Sequence, residues 1–124
     1  MTALDNLADR YIAAWNETDA ARRRELIAGI WTEGARYRDP LMQGEGPSGI
    51  DALIAGVQER FPNHHFRRTS PVEAVADHIR FSWELAPADG PALVKGTDFA
   101  IVADGRLQAV TGFLDEAPAS PSDQ

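Results

Sequence analysis

Asp39 is the first residue of this sequence whose type and position could do chemistry. It closes a short predicted strand in which Ala35, Tyr37 and Asp39 alternate, so these side chains would share one face while the intervening arginines face the other way. Pro40 cannot donate a hydrogen bond to a sheet and favours an extended backbone before it, which places the carboxylate at a sheet rim. Asp39 is therefore either a candidate base beside an aromatic ring or the solvated side chain of an ordinary Asp-Pro turn.

Asp98 is a second carboxyl group, and its neighbours on the predicted strand 93–103 are unusual for an acid. It shares a strand face with residues that are all small or apolar: Val94, Gly96, Ala100 and Val102. An aspartate among apolar walls is disfavoured as an anion, so we expect Asp98 to keep its proton to a higher pH than usual and to donate a hydrogen bond. If this face points outward instead, the group is solvated.

Tyr11 and Trp15 add two polar atoms to this set. They lie one turn apart on the apolar stripe of the first predicted helix, and each carries an O–H or N–H that needs a partner once it is buried. Simple core packing is the alternative interpretation of both rings.

Three helices must position these groups, because apolar residues recur at three- and four-residue steps in three segments. The segments are residues 2–16, where Thr2 and Asp5 have capping-box spacing, residues 20–28, and residues 49–60, which Pro62 ends. The three arginines at 22–24 are interpreted as a solvated face of the second helix.

Strands fill most of the remaining chain, at residues 64–69, 72–76, 79–86, 93–103 and 106–114. Asp104-Gly105 between the last two suits a tight hairpin turn. With the strand that ends at Asp39, this order predicts an α+β fold in which helices cover one face of a strongly curved antiparallel sheet, and such a sheet can enclose a pocket.

Composition limits the classes of partner. The chain has 124 residues, 44% hydrophobic and 25% charged, with a net charge of -7 and no cysteine. We expect one domain over residues 1–115 with a disordered tail at 116–124. The negative charge opposes binding to nucleic acid or anionic membranes, no apolar run is long enough to span a membrane, and no signal peptide is visible at the start, so a cytoplasmic location is expected.

Three stretches carry a family resemblance: RYIAAWN at residues 10–16 with Asp19 after it, ARYRDP at 35–40, and GTDF at 96–99 followed by DGRL at 104–107. The chain resembles the SnoaL-like members of the nuclear-transport-factor-2-like superfamily and, among them, the ketosteroid isomerases, over residues 7–114. The resemblance implies a cone-shaped curved antiparallel sheet covered by three N-terminal helices, and a homodimer formed through the outer sheet face.

The same resemblance implies roles for three residues. Asp39 falls on the base of the isomerases, Tyr11 on the tyrosine that holds the oxyanion, and Asp98 on the protonated aspartate beside it, an acid kept neutral by apolar surroundings in ketosteroid isomerase. The implied reaction moves a double bond through a dienolate, because the base carries a proton between two carbons while two donors hold the charge on the carbonyl oxygen. No cofactor and no metal is implied.

A small hydrophobic ligand would contact the residues expected to face this cavity, namely Trp15, Tyr37, Met42, Ile54, Val57, Phe61, Phe81, Trp83, Val94 and Phe113. The bulky rings of Trp15 and Tyr37 predict a pocket smaller than a steroid needs.

Other activities of such folds remain open: a SnoaL-like polyketide cyclase, a hydratase, or a module that binds a small ligand without turnover. Epoxide hydrolysis would need an inward arginine between two aspartates, but Arg36 and Arg38 have the wrong strand parity and Arg67 is a weak candidate. His65 could reach the pocket as an alternative acid or base, although the adjacent His64 and His65 are more typical of a surface pair.

Overall fold

The computed structural model describes residues 2–117 and places three helices against one face of a seven-stranded sheet. The helices are α1 (Ala3–Asn16), α2 (Ala20–Ile30) and α3 (Gly46–Arg60). The strands are β1 (Trp31–Arg38), β2 (Gln43–Glu45), β3 (His64–Arg68), β4 (Glu73–Val75), β5 (His78–Pro87), β6 (Val94–Ala103) and β7 (Arg106–Glu116). The predicted α+β arrangement is thereby confirmed. From residue 118 onwards the predicted tail lies outside the described residues, and Glu116 belongs to β7.

Helix α1 begins as the sequence predicts. The Thr2 hydroxyl accepts a hydrogen bond from the Asp5 backbone at 3.0 Å, and the Asp5 carboxylate accepts one from the Thr2 backbone at 3.1 Å, which completes the capping box. The buried stripe of the helix carries Tyr11 and Trp15, which are 2% and 5% exposed. The helix therefore delivers both rings to the interior.

Helix α2 corrects the interpretation of its arginines as a solvated face. Arg23 is only 5% exposed, and its guanidinium donates to the Asp51 carboxylate at 2.5 Å, the Gln58 side chain at 3.1 Å and the Glu17 carbonyl at 3.0 Å. A buried charge persists only when it is paired and hydrogen-bonded, and here two residues of α3 and the capping residue just after α1 supply those partners. Arg23 therefore joins the three helices, while its neighbours Arg22 and Arg24 are exposed as expected.

The sheet follows the order β2-β1-β7-β6-β5-β3, with β4 paired to β5. It is mixed where an antiparallel sheet was expected, because β1 pairs with β7 in parallel while the other pairs are antiparallel. A parallel pair needs a long crossover connection, and the intervening chain from β2 through β6 provides it. The pairing of β1 with β7 places Tyr37 beside Val110 of the last strand.

The concave face of the sheet packs against the helices and holds the core. On β5 the inward residues are Phe81, Trp83 and Leu85. On β6 they include Asp98, on the face that the sequence predicts. The hairpin of β6 and β7 turns at Asp104 and Gly105, both with positive φ, as expected for an Asp-Gly turn.

The outer face of the sheet exposes several apolar side chains. Phe99 and Phe113 are 42% and 50% exposed and their rings meet edge to face, with centroids 5.4 Å apart. Within residues 2–117, no helix is both long and apolar enough to cross a membrane.

Candidate active site

A cavity of about 390 Å³ opens between the concave sheet face and helices α1 and α3. Its lining is mostly apolar, with Tyr, Asp and Arg side chains at a few positions. The lining residues are Tyr11, Ile12, Trp15, Tyr37, Asp39, Leu41, Met42, Val57, Arg60, Phe61, Phe66, Trp83, Leu85, Val94, Asp98, Leu114 and Ala117. An apolar cleft of this size with a few convergent polar groups is typical of a site for a small molecule.

Asp39 lies in this lining, immediately after the last residue of β1. Its Oδ1 accepts hydrogen bonds from the backbone N–H groups of Leu41 and Met42, at 2.8 and 3.0 Å, and its Oδ2 accepts one from the Tyr37 hydroxyl at 2.7 Å. Asp39 thus makes the turn expected after an Asp-Pro pair, yet its half-buried carboxylate faces the cavity. Of the two alternatives left open by the sequence, the turn is present but its carboxylate is not fully solvated, and the role of Asp39 as a base stays a prediction.

Asp98 is the buried carboxyl at the inner wall of the cavity, with 2% exposure. Its Oδ2 accepts a hydrogen bond from the Tyr11 hydroxyl at 2.7 Å, and its Oδ1 accepts one from the indole N–H of Trp83 at 3.0 Å. Burial raises the pKa of Asp98 to about 6, although the bonds from Trp83 and Tyr11 favour the charged form, and the nearby charge of Asp39 raises it further. The direction agrees with the prediction from the apolar strand face.

The two tyrosines remain protonated donors. Burial raises the pKa of Tyr11 well above its ordinary value, and the charge of Asp98 adds to the effect. Burial also raises the pKa of Tyr37, followed by the charges of Asp98 and Asp39. Each hydroxyl therefore donates to a carboxyl group: Tyr11 to Asp98 and Tyr37 to Asp39.

Gly112 of β7 marks the point where these groups converge. It pairs with Asp98 across the hairpin, and a Cβ built on it would lie 2.9 Å from Asp98 Oδ1, 3.3 Å from the Tyr37 hydroxyl and 3.4 Å from the Cβ of Asp39. The two Tyr–Asp pairs are therefore neighbours, and a side chain at position 112 would collide with both.

Trp15 also lines the cavity, and its indole nitrogen is a buried polar atom. This nitrogen has no hydrogen-bond partner among the residues that the structure describes. The ring packs against those of Tyr11, Tyr37 and Phe66, with centroids 5.4 to 6.3 Å apart. Trp15 therefore holds the two tyrosines in place through ring contacts.

Most of the residues predicted to contact a ligand line the cavity, but three of them do not. Ile54 is fully buried in the core, and Phe81 faces inward but packs against the Tyr11 ring, at a centroid distance of 5.7 Å. Phe113 is wrong for a simpler reason: Gly112 faces inward, so the next residue on the strand faces outward. The others, Trp15, Tyr37, Met42, Val57, Phe61, Trp83 and Val94, line the cavity.

Several lining residues were missed by the sequence analysis. Leu85 lies two residues after Trp83 on the same face of β5, so the strand alternation could have identified it, and Ile12 follows Tyr11 on α1. Phe66 alternates with His65, which is exposed, and that parity could have identified it. Arg60, which is exposed overall, could not be predicted from the local sequence, because only the packing of α3 brings part of its side chain to the cavity. Arg67, the weak candidate for an inward arginine, instead pairs with Glu84.

Within residues 2–117, no cluster of three or more His, Cys, Asp or Glu side chains is placed to hold a metal ion.

This chain is similar to proteins of one family in both sequence and fold. The model of the SnoaL-like domain family matches residues 8–110. A solved structure from Agrobacterium tumefaciens strain C58, a candidate isomerase of the SnoaL-like family, has a TM-score of 0.88 at 43% identity, over 94% of this chain and 100% of its own. No protein of curated function matches this chain.

Two more distant structures show the fold alone. A candidate ketosteroid isomerase from Kribbella flavida has a TM-score of 0.67 at 24% identity, over 94% of this chain and 80% of its own. A candidate SnoaL-like polyketide cyclase from Jannaschia sp. CCS1 has a TM-score of 0.66 at 19% identity, over 88% of this chain and 85% of its own.

Proposed function

This chain belongs to the SnoaL-like family, and from that premise we propose that it is a cofactor-independent enzyme that moves a proton on a small hydrophobic carbonyl compound through a dienolate, as a steroid Δ-isomerase does. One observation carries the proposal. Two carboxyl groups, Asp39 and Asp98, each bonded to a tyrosine hydroxyl at 2.7 Å, lie in the lining of one apolar cavity. Paired acids in different environments can take opposite roles in proton transfer.

Asp39 is suited to be the base. A carboxylate offers about four lone-pair sites, and three hydrogen bonds occupy two sites on Oδ1 and one on Oδ2. The remaining site on Oδ2 is free to take a proton from a carbon acid held in the cavity. The two backbone N–H groups fix the orientation of the carboxylate, so it need not reorganise during the reaction.

Tyr11 and Asp98 are suited to hold the developing oxyanion. Because the pKa of Asp98 is raised to about 6, part of the population carries a proton near neutral pH, and a negative oxygen placed beside it would favour that form further. Each preorganised donor to an oxyanion contributes about 2.7–4 kcal/mol of transition-state stabilisation in comparable sites.

The resulting cycle conserves atoms and electrons. Asp39 Oδ2 takes a proton from the carbon beside the carbonyl, and the electrons of that C–H bond delocalise onto the carbonyl oxygen, which Tyr11 and Asp98 stabilise. Asp39 then returns the proton to the γ-carbon, and the double bond moves into conjugation. No external oxidant or reductant is needed.

The lining supports a small, flat, hydrophobic ligand. Six of the lining residues carry aromatic rings, and the cavity of about 390 Å³ is at the lower end of the range for ligand pockets. Ligand binding without turnover is the second candidate function, favoured by the fact that both oxygens of Asp98 already accept hydrogen bonds within the protein.

The homodimer expected from the family resemblance stays a prediction. The exposed Phe99 and Phe113 on the outer sheet face support it, because apolar side chains clustered on a surface are typical of protein contacts.

The test has two assays on the same proteins. Isomerisation of a 5-ene-3-ketosteroid is followed by the absorbance of the conjugated enone, and exchange of the α-protons of smaller cyclic ketones in D₂O is followed by NMR. Asp39→Asn should lower both rates by about 10²–10⁴-fold and Tyr11→Phe by about 10²–10³-fold. Arg38→Gln, whose side chain faces outward beside Asp39, is the matched control.

Equal slow rates in the wild type and both variants would remove the enzymatic proposal and leave ligand binding. Exchange without isomerisation would retain the enolate chemistry and redirect it to a cyclase-like or hydratase-like reaction.

A further inference from the structure

The Tyr37 hydroxyl has a buried, well-defined position that the chemistry above does not use. The side chain is 5% exposed, its ring packs against Trp15, and its hydroxyl donates to Asp39 Oδ2 at 2.7 Å. The same Oδ2 carries the free lone-pair site of the proposed base. Any proton that Asp39 accepts there arrives next to the oxygen of Tyr37.

The hydroxyl is also close to the proposed oxyanion site. The position that a Cβ atom would take on Gly112 lies 3.3 Å from the Tyr37 oxygen and 2.9 Å from Asp98 Oδ1. Within residues 2–117, Tyr37 donates a hydrogen bond to Asp39 and none to Asp98. The hydroxyl is thus bonded to Asp39 and shares with Asp98 the space beside Gly112.

We propose, resting on the function proposed above, that Tyr37 is a reversible donor: its hydroxyl leaves Asp39 for the substrate oxygen when Asp39 takes the substrate proton. In the free enzyme Tyr37 donates to the Asp39 carboxylate. After proton transfer Asp39 Oδ2 carries an O–H group at its formerly free site. This O–H rotates about the C–O bond of the carboxyl group and donates to the Tyr37 oxygen. The Tyr37 O–H then rotates about its C–O bond towards the enolate oxygen beside Asp98.

Each step of this exchange balances. The proton that leaves carbon becomes the Asp39 O–H, the C–H electron pair becomes enolate charge, and Tyr37 keeps its own proton throughout. When the γ-carbon takes the proton back, Asp39 is again an anion and the original hydrogen bond re-forms. The donor follows the negative charge, and bonds to an ionised acceptor are about twice as strong as neutral ones.

A double-mutant cycle with 4-nitrophenol as the probe tests the exchange. The phenolate oxygen stands for the enolate oxygen, and its visible absorbance reports the ionised form. Asp39→Asn stands for the protonated base, because the amide can donate to the Tyr37 oxygen as the acid would. The four proteins are the wild type, Tyr37→Phe, Asp39→Asn and the double variant.

Asp39→Asn should tighten phenolate binding in both backgrounds. The gain in affinity should be about tenfold larger when residue 37 is Tyr than when it is Phe, a coupling typical of groups in direct contact. Removing the charge of Asp39 acts equally in both backgrounds, so the difference reports the hydroxyl. Tyr11→Phe should weaken binding to the same extent whether residue 39 is Asp or Asn. Arg38→Gln should leave binding unchanged.

A second measurement covers the case in which Tyr37→Phe does not fold. With 3-fluorotyrosine at position 37, the ¹⁹F resonance should shift when phenolate binds to Asp39→Asn and stay in place when phenolate is added to the wild type. Additive effects in the cycle, or a ¹⁹F resonance that responds equally in both proteins, would overturn the exchange and leave the proposed function standing. Absence of phenolate binding in every protein would overturn both.

Discussion

The buried carboxyl of Asp98 makes stability depend on pH in a direction opposite to that of most aspartates. Asp98 is 2% exposed, and burial raises its pKa to about 6 against the opposing hydrogen bonds from Trp83 and Tyr11. The folded protein therefore holds this proton more tightly than the unfolded chain, in which the ordinary value is 3.8. The stability from this group is fully present below pH 3.8 and is lost as the pH rises through about 6.

The size of the effect follows from the shift. A difference of about two pKa units corresponds to about 3 kcal/mol in the free energy of unfolding. Asp98→Asn removes the ionisation and keeps the hydrogen bonds, because the amide oxygen can accept from Trp83 and the amide nitrogen can donate to the Tyr11 oxygen. We expect the variant and the wild type to be similarly stable near pH 3, and the variant to be more stable by up to about 3 kcal/mol near pH 8.

Urea unfolding of both proteins across this pH range measures the difference. Taking the difference cancels the contributions of the other carboxylates, apart from the coupling of Asp98 to Asp39. Asp89→Asn, which makes the same substitution at an exposed position in the loop after β5, is the matched control. A wild-type minus Asp98→Asn difference that is constant with pH would refute the assignment of Asp98 as a buried acid with a raised pKa.

Two packing arrangements give further predictions. Arg23→Gln should lower the free energy of unfolding by about 3 kcal/mol, because it leaves a largely buried carboxylate of α3 without its cation. Urea unfolding should show a loss below about 0.5 kcal/mol for Arg22→Gln on the exposed face, and equal losses would contradict the buried pair. Gly96→Ala should cost about 1–3 kcal/mol and alter tryptophan fluorescence, because a methyl group there would lie 2.7 Å from a ring carbon of Trp83. Gly56→Ala, with no atom within 4 Å of the added methyl, is its control, and an equal change in the two alanine variants would contradict the close contact.

The position of Tyr11, Asp39 and Asp98 in the cavity lining could be predicted from sequence because each follows a local period, while their chemical roles stay predictions. Tyr11 lies on a helical stripe, Asp98 is an inward residue of β6, and Asp39 continues the alternation of Ala35 and Tyr37 just beyond the end of β1. The fold class follows from the same patterns, since the order of helices and strands restricts how they can pack.

Residues whose partners are distant in sequence were the ones that sequence could not place. Arg23 is buried because Asp51 and Gln58 accept its hydrogen bonds from 28 and 35 residues away, and no local pattern reveals such a pair. The parallel pairing of β1 with β7 could not be predicted for the same reason, because the two strands are far apart in the sequence. Phe113 was misassigned because an apolar residue on a curved sheet can face either the cavity or the outer surface, and hydrophobicity alone does not decide between them.

Two glycines next to Asp98 explain how polar groups fit into so apolar a cavity. Gly96 precedes Asp98 on the same face of β6, and only its missing side chain lets the Trp83 indole lie close enough to donate to Asp98 at 3.0 Å. Gly112 faces Asp98 from β7 and leaves the space into which the Tyr37 hydroxyl projects. Both glycines have ordinary backbone angles, so close approach, and not a turn, accounts for them. The absence of side chains at these two positions brings the buried Tyr11–Asp98 pair next to the Tyr37–Asp39 pair, whose carboxylate is half-buried, and this proximity lets the charge of Asp39 raise the pKa of Asp98.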